Sequence, residues 1–138
     1  MPITNGFRQL VDEAMAQVTT YSVAQVRERL DTQDAAKVQI VDIRDVRELE
    51  REGTVPGALL APRGMLEFWV DPASPYYKDI FGSGKEFVFY CASAWRSSLA
   101  TAAVHEMGLA PVCHFEGGFN AWKKAGGPVA ERPHKPPH

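Results

Sequence analysis

The sequence predicts an α/β protein that is built on a mainly parallel β-sheet with helices on both faces. Short apolar runs, rich in β-branched and aromatic residues, alternate along the chain with stretches of helical periodicity. Parallel strands need a crossover between them, usually a helix, so this alternation favours a sheet that is buried on both sides. The chain has 138 residues and no internal repeat, which is the size of one domain.

The composition is that of an ordinary globular domain and excludes several classes of function. Hydrophobic residues make up 45% of the sequence, charged residues make up 23%, and the net charge is −2. Because no basic block is present, neither nucleic acid nor a membrane is an expected partner. The apolar runs are far shorter than a bilayer requires, and the first residues do not have the pattern of a signal peptide. We therefore expect a cytoplasmic protein in which Cys91 and Cys113 are free thiols.

An amphipathic helix, predicted roughly from Gly6 to Val18, forms an extension over residues 1–20. Its polar face carries both signs of charge, so we expect it to pack on the domain or on a partner subunit rather than on a membrane. Ser22 is a suitable N-cap for a second helix that ends near Leu30.

Two strands follow, over residues 37–42 and 58–61, because both are short apolar runs next to polar or turn residues. Between them, residues 44–51 alternate in charge, which is typical of an exposed turn of helix. The connection over residues 62–83 is long, irregular and rich in aromatic residues. It either contributes to a functional site or covers one end of the core with aromatic side chains. The side chains in question are Phe68, Trp69 and Phe81.

A third strand, over residues 87–90, ends at Cys91, and a helix after Arg96 stops at Gly108. A fourth strand covers residues 111–115 and precedes a turn and a short closing helix. The domain itself is predicted over residues 21–126, and the tail over residues 127–138, which holds four prolines, is expected to be extended or disordered.

Cys91 is the one potential nucleophile at the carboxyl ends of the predicted strands, where ligands bind in such a sheet. Converging loop N–H groups, the amino end of the next helix and an arginine all favour negative charge on its sulfur. The alternative, a buried inert thiol, stays open on position alone. The residues of the predicted anion cradle are Ala92, Ser93, Ala94, Trp95 and Arg96.

No general base is evident near this cysteine. His105 lies nine residues beyond Arg96 on the same helix, which is about 13 Å along its axis. His114 lies inside a strand, and His134 and His138 lie in the tail. None of these histidines has the spacing of a metal site, so neither a metal nor another cofactor is expected. Sulfur transfer fits, because a thiolate can attack a sulfane sulfur and carry it as a persulfide without a base.

Four motifs of the chain resemble, in their order, the single-domain rhodanese-like sulfurtransferases. The resemblance covers about residues 21–126 and implies a five-stranded, mainly parallel sheet, with Cys91 as the persulfide-bearing residue. It also implies a small-molecule sulfur donor, such as thiosulfate or a persulfide, and a thiol acceptor that can be a protein. The motifs are Val41-Asp42-Ile43-Arg44-Asp45, Val55-Pro56-Gly57-Ala58, Tyr90-Cys91-Ala92-Ser93-Ala94-Trp95-Arg96-Ser97 and Glu116-Gly117-Gly118-Phe119-Asn120-Ala121-Trp122.

The length of the cysteine loop favours sulfur over phosphorus. Phosphatases and arsenate reductases that resemble this family have five residues between the cysteine and the arginine, whereas four residues separate Cys91 from Arg96 here. Ala94 stands where many relatives have glycine, so a positive φ at this position would strain the loop or change its curl. The loop has no second cationic side chain, so strong binding of thiosulfate is not expected. A binding module that has kept the fold without catalysis is the alternative from another class.

The remaining candidate residues have supporting roles. Asp42, Arg44 and Glu48 are expected to hold the loops beside the cysteine through ion pairs and turn hydrogen bonds, and Ser97 is expected to support the loop. Arg63 faces either the substrate or the solvent. Cys113 is a packed thiol or, alternatively, relays sulfur. Gly117 and Gly118 are expected to let the chain turn close to the active loop, next to a core tryptophan, Trp122.

Overall fold

Five short parallel strands form the centre of the structure, a computed structural model that describes residues 2–32 and 36–132. Their order across the sheet is β1-β5-β4-β2-β3, and every pair of neighbours is parallel. The predicted α/β class and the five-stranded sheet are therefore confirmed. The strands are β1 (Thr19–Tyr21), β2 (Val38–Asp42), β3 (Leu59–Leu60), β4 (Glu86–Tyr90) and β5 (Val112–Phe115).

Helices cover both faces of this sheet. They are α1 (Phe7–Gln17), α2 (Val23–Thr32), α3 (Val46–Glu52), α4 (Leu66–Val70), α5 (Trp95–Glu106) and α6 (Gly118–Lys124). Alternate residues of β4 point to opposite sides, so that Val88 and Tyr90 pack with α2 and α6 while Phe87 and Phe89 pack with α4 and α5. Two hydrophobic clusters result, one on each face. None of the helices in the described ranges is long and apolar enough to cross a membrane.

The edge strand β1 has no counterpart among the four strands that the residue pattern predicts. It lies between the two predicted N-terminal helices and pairs with β5, where Thr20 is opposite His114. The helix before it, α1, packs on α5, and the ring centroids of Phe7 and Trp95 are 5.0 Å apart. The N-terminal helix therefore packs on its own domain, which was one of the two predicted possibilities.

The charged run after β2 differs from its prediction as an exposed helical turn. Helix α3 begins only at Val46, after an Asp45 cap that forms a reciprocal capping box with Glu48. Arg44 precedes the helix and is fully buried, as is Asp42 at the end of β2. Charge alternation identified the helix, but it could not show that the first arginine of the run points into the protein.

The connection between β3 and β4 covers one end of the core. Leu66, Val70 and Phe81 are buried there, whereas the Phe68 side chain is 53% exposed. Two short 3₁₀ turns, Arg63–Met65 and Asp79–Gly82, flank α4. The structural interpretation of this connection therefore holds for Phe81 but not for Phe68.

The first part of the proline-rich tail is extended and bound to the domain. Ala130 and Thr54 form an antiparallel bridge with two backbone hydrogen bonds of 2.9 and 2.8 Å. The Trp122 indole N–H donates to the Pro128 carbonyl at 2.7 Å. Residues 127–132 therefore follow the extended alternative of the prediction for the tail, and the rest of the tail lies outside the described residues.

Candidate active site

Cys91 lies at the carboxyl end of β4 and is only 1% exposed. Its Sγ accepts the backbone N–H of Ala94 at 3.2 Å and that of Ser97 at 3.3 Å. The loop therefore curls around the sulfur, and the first turn of α5 lies directly beside it. Two N–H groups that point at one sulfur can stabilise negative charge that develops on it in a reaction.

Other amides of the loop are open. Within residues 2–32 and 36–132, the backbone N–H groups of Ala92, Ser93, Trp95 and Arg96 have no acceptor. The first N–H groups of a helix lack partners inside the helix, which explains the two donors that belong to α5. The loop can therefore offer further hydrogen bonds to an anion or to a second sulfur atom on Cys91.

Ala94 adopts the left-handed conformation, with φ +86° and ψ −8°. It is the one non-glycine residue with positive φ in the described part of the chain. This conformation turns its N–H toward Cys91 Sγ. The position does require the geometry that glycine adopts most readily, so the alanine stores strain in the loop.

Arg96 closes the loop and is bound to Glu48 of α3 by two hydrogen bonds, from Nη1 at 2.8 Å and from Nη2 at 3.0 Å. The hydrogen bond to Arg96 is the main reason that the pKa of Glu48 lies below its usual range. The same bond raises the pKa of Arg96. Glu48 therefore compensates most of the charge that Arg96 brings to the site.

A buried ion pair lies beneath the loop. Arg44 donates to Asp42 from Nε at 3.0 Å and from Nη2 at 2.8 Å, and both side chains are fully buried. The Tyr90 hydroxyl donates to Asp42 at 2.6 Å, and the Thr54 hydroxyl donates at 2.9 Å. Burial, followed by the charge of Asp42, raises the pKa of Tyr90 above its ordinary value. This network fixes the ends of β2 and β4, from which the loop starts.

Gly118 brings the start of α6 against the cysteine loop. A Cβ at Gly118 would lie 2.7 Å from the carbonyl carbon of Ala92, so no larger residue fits without movement. The N–H of Phe119 donates to the Cys91 carbonyl at 2.8 Å, and the N–H of Asn120 donates to the Ala92 carbonyl at 3.1 Å. Gly117, at φ +73°, provides the turn before the helix.

Sequence reasoning missed the contact between His114 and the loop. His114 is fully buried in β5, and its Nδ1 lies 2.9 Å from the Ser97 hydroxyl oxygen. Its Nε2 lies 2.9 Å from the Thr20 hydroxyl oxygen. Burial lowers the pKa of His114 to about 4, so the ring is neutral near pH 7. No local signal could reveal this group, because its partners lie on two other elements.

Several candidate residues do not join the site. Arg63 pairs with Glu67 at 2.7 Å on the surface. Cys113 packs in the hydrophobic cluster on the face opposite Cys91, where burial raises its pKa to about 12. The Ser93 side chain is exposed and its hydroxyl has no hydrogen bond to the described residues, so Ser93 can contribute only its backbone N–H to the site.

The remaining histidines also lie away from the cysteine or outside the structure. His105 is exposed near the end of α5. His134 and His138 lie outside the described residues. No group of three or more His, Cys, Asp or Glu side chains that could hold a metal occurs in residues 2–32 and 36–132.

The fold and the cysteine loop define a class of α/β domains that carry a thiol at the carboxyl edge of a parallel sheet. Residues 22–125 match the family model of the rhodanese-like domain. The chain therefore belongs to the rhodanese-like family, as the sequence motifs predicted. The family match begins just after β1, so α1 precedes the matched region as an extension.

The relatives are described as two different classes of enzyme, sulfurtransferases and a possible phosphatase. A sulfurtransferase from Allochromatium vinosum is 31% identical over 99 residues, which cover 72% of this chain and 81% of that protein. A polysulfide-sulfur transferase homodimer from Wolinella succinogenes has a TM-score of 0.69 and 27% identity, and the match covers 96% of this chain and 92% of that one. A solved protein of unknown function from Rhodopseudomonas palustris, described as a possible tyrosine phosphatase, has a TM-score of 0.90 and 49% identity, with coverage of 94% and 98%.

Proposed function

We propose that this protein is a sulfurtransferase that carries a sulfane sulfur as a persulfide on Cys91. The observation that carries the proposal is the position of Cys91 Sγ, which accepts two backbone N–H groups inside a loop with four further open amides. A sulfur in this setting is stabilised as an anion before attack and again as a leaving group. Names of the relatives from Allochromatium and Wolinella support the same class of reaction.

The reaction proceeds in two displacements at sulfur. In the first, the Cys91 thiolate attacks the outer sulfur of a donor persulfide R–S–SH, the donor S–S bond breaks, and R–S⁻ leaves with the electron pair. In the second, an acceptor thiolate attacks the outer sulfur of the Cys91 persulfide, and Cys91 leaves as a thiolate. The electrons balance without an external oxidant, because the sulfane sulfur passes unchanged from donor to acceptor. With thiosulfate as donor, the first leaving group is sulfite.

A persulfide or polysulfide donor fits this site better than thiosulfate. The Arg96 guanidinium donates two hydrogen bonds to Glu48, and residues 91–96 contain no other cationic side chain. A dianion therefore gains little charge compensation, whereas a singly charged persulfide needs only the loop amides. The acceptor is a thiol of a small molecule or of a protein, in a reducing compartment such as the cytoplasm, where both cysteines stay reduced.

The test is intact mass spectrometry after incubation with glutathione persulfide. We expect the wild-type protein to gain the mass of one sulfur atom, to lose it on addition of a thiol acceptor, and to keep this behaviour in C113S, because Cys113 is sequestered in the core. C91S is expected to gain no sulfur. An adduct that persists in C91S, or that never forms on the wild-type protein, would contradict the proposal.

A cysteine phosphatase is the second candidate, because the relative from Rhodopseudomonas is described as a possible tyrosine phosphatase. A thiolate in this cradle can in principle attack phosphorus as well as sulfur. Against it, Arg96 is engaged by Glu48, and the loop is one residue shorter than in phosphatases that resemble this family. We expect no hydrolysis of p-nitrophenyl phosphate. Hydrolysis of this substrate that depends on Cys91 would contradict the assignment to sulfur transfer and favour phosphoryl transfer.

A further inference from the structure

We propose that His114 is a positioning residue, which holds the Cys91 loop in its anion-binding form by orienting Ser97. The inference deepens the proposed function and rests on it for its biological meaning. The side chain lies in the strand next to β4 and is separated from the cysteine by Ser97. It would not touch the substrate, so it acts only through the serine.

Ser97 connects the imidazole to both donors of the sulfur. Its own backbone N–H donates to Cys91 Sγ at 3.3 Å. Its hydroxyl lies 3.2 Å from the carbonyl oxygen of Ala94, whose N–H is the second donor to the sulfur. A single buried side chain therefore holds the two residues whose N–H groups face the thiolate.

The hydrogen bonds around His114 select one tautomer. If Nδ1 carries the proton, it donates to the Ser97 hydroxyl, and that hydroxyl donates to the Ala94 carbonyl. Thr20 then donates its hydroxyl proton to Nε2. If Nε2 carries the proton instead, Ser97 must donate to Nδ1, and the hydroxyl of Thr20 is left with the sulfur of Met15 at 3.9 Å. The first arrangement satisfies every donor with nitrogen or oxygen, so we assign the proton to Nδ1.

This tautomer explains how a strained loop stays in place. Ala94 would lose its left-handed conformation more readily if its carbonyl were free to turn. The Ser97 hydroxyl donates to that carbonyl, together with the Ser98 N–H at 3.0 Å. His114 keeps the Ser97 proton directed at Ala94 because Nδ1–H occupies the acceptor side of the hydroxyl.

The test compares substitutions that preserve the hydrogen bond of one imidazole nitrogen and remove that of the other. The amide of asparagine can replace Nδ1, and the amide of glutamine can replace Nε2. H114N is therefore expected to keep the conformation of the loop, whereas H114Q and S97A are expected to weaken the hydrogen bonds that stabilise negative charge on Cys91. C113S is the matched control, because Cys113 precedes His114 in β5 but packs on the other face of the sheet. S97A removes one buried oxygen and keeps the backbone N–H, so the question can be answered even if a histidine variant does not fold.

The main readout is the ionisation of Cys91, followed by thiolate absorbance in the ultraviolet as the difference between each variant and the same variant with C91S. In H114Q and S97A we expect the midpoint to move to higher pH and the rate of sulfur transfer at pH 7 to fall about tenfold, the usual effect of one lost charge-assisted hydrogen bond. H114N and C113S are expected to stay within about twofold of wild type. In S97A/H114Q the two effects should not add.

The outcomes separate this inference from the proposed function. A wild-type ionisation midpoint in both S97A and H114Q, or a loss in H114N as large as in H114Q, would overturn the positioning role. A shifted midpoint in a protein that transfers no sulfur would support the role and contradict the function. If His114 has only a structural role, H114N and H114Q will lower the free energy of unfolding by similar amounts and will not differ in the ionisation midpoint of Cys91. That result would also overturn the positioning role.

Discussion

Ala94 combines a methyl side chain with a backbone conformation that glycine adopts more readily. The residue is buried, and its N–H is one of the two donors to Cys91 Sγ. Its conformation is therefore set by the chemistry of the loop rather than by its own preference. Strain in a loop of this kind is tolerated when the surrounding hydrogen bonds over-determine it.

We predict that A94G raises the free energy of unfolding by about 0.5–1 kcal/mol, because the relief of left-handed strain exceeds the entropy that glycine adds to the unfolded chain. Urea denaturation measures the difference. G57A is the matched control, since Gly57 has φ +80° and a Cβ at this position would meet nothing within 4 Å. It is expected to destabilise the protein by about 1 kcal/mol. Equal stability of A94G and wild type would show that Ala94 is not strained.

The cysteine loop and the charged residues that support it could be predicted from local sequence, but the burial of Arg44 and the contact of His114 with the loop could not. An apolar run that ends at Cys91, followed by small residues and Arg96, is a contiguous signal. Arg44 was predicted to be exposed because its neighbours are charged, yet it is fully buried against Asp42. His114 contacts Ser97 across two elements, and no spacing along the chain encodes that contact.

At the scale of elements, local signals predicted the helices, whereas the edge strand β1 was missed. Ser22, the predicted N-cap, begins α2 through a reciprocal bond with Gln25. Asp45 begins α3 in the same way, although the alternation of charge, and not this cap, predicted that helix. These motifs lie within four residues, so the sequence displays them directly. Strand β1 has three residues and forms by pairing with β5, which is distant along the chain, so it gave no pattern of its own.

The ion pair between Glu48 and Arg96 fastens α3 to the cysteine loop, and its effect on stability depends on pH. Because the pKa of Glu48 is lowered in the folded state, mainly by its hydrogen bond to Arg96, the stabilisation is present above the unfolded pKa of about 4.3. It is lost as the pH falls through the lower folded value. E48Q is therefore expected to lower the free energy of unfolding by about 0.5–1 kcal/mol at pH 7, since the pair is partly exposed.

The difference between wild type and E48Q should shrink when urea denaturation is repeated from pH 5 down to pH 3 (roughly one unit to either side of the unfolded value). Glutamine keeps the capping interaction with the Asp45 N–H, so the substitution isolates the charge. E67Q, which removes the surface pair with Arg63, is the control and should have a smaller effect. A difference that stays constant over this range would contradict the assigned role of the Glu48 carboxylate.

At the scale of the whole molecule, the segment after α6 packs back against the part of the chain that follows α3. Two backbone bonds join Thr54 to Ala130, and Trp122 is bonded to Pro128. Thr54 is also the residue whose hydroxyl reaches Asp42 beneath the cysteine loop. The tail therefore supports the buried network from outside, although its proline content alone predicted no such contact.

We predict that a chain truncated after Gly126 loses about 4 kcal/mol of unfolding free energy, because the four hydrogen bonds made by residues 127–130 disappear at about 1 kcal/mol each. Thermal and urea unfolding measure the loss. Truncation after Arg132 keeps those bonds and is the matched control. Equal stability of the two shortened proteins would mean that the bridge to Thr54 does not contribute.

The pairing of β1 with β5 has a consequence for the order of folding. Thr20 and His114 are 94 positions apart, so their contact closes a long loop, which is slow and entropically unfavourable until the other strands are in place. We expect β1 to dock late, and during synthesis it has no partner until β5 has left the ribosome.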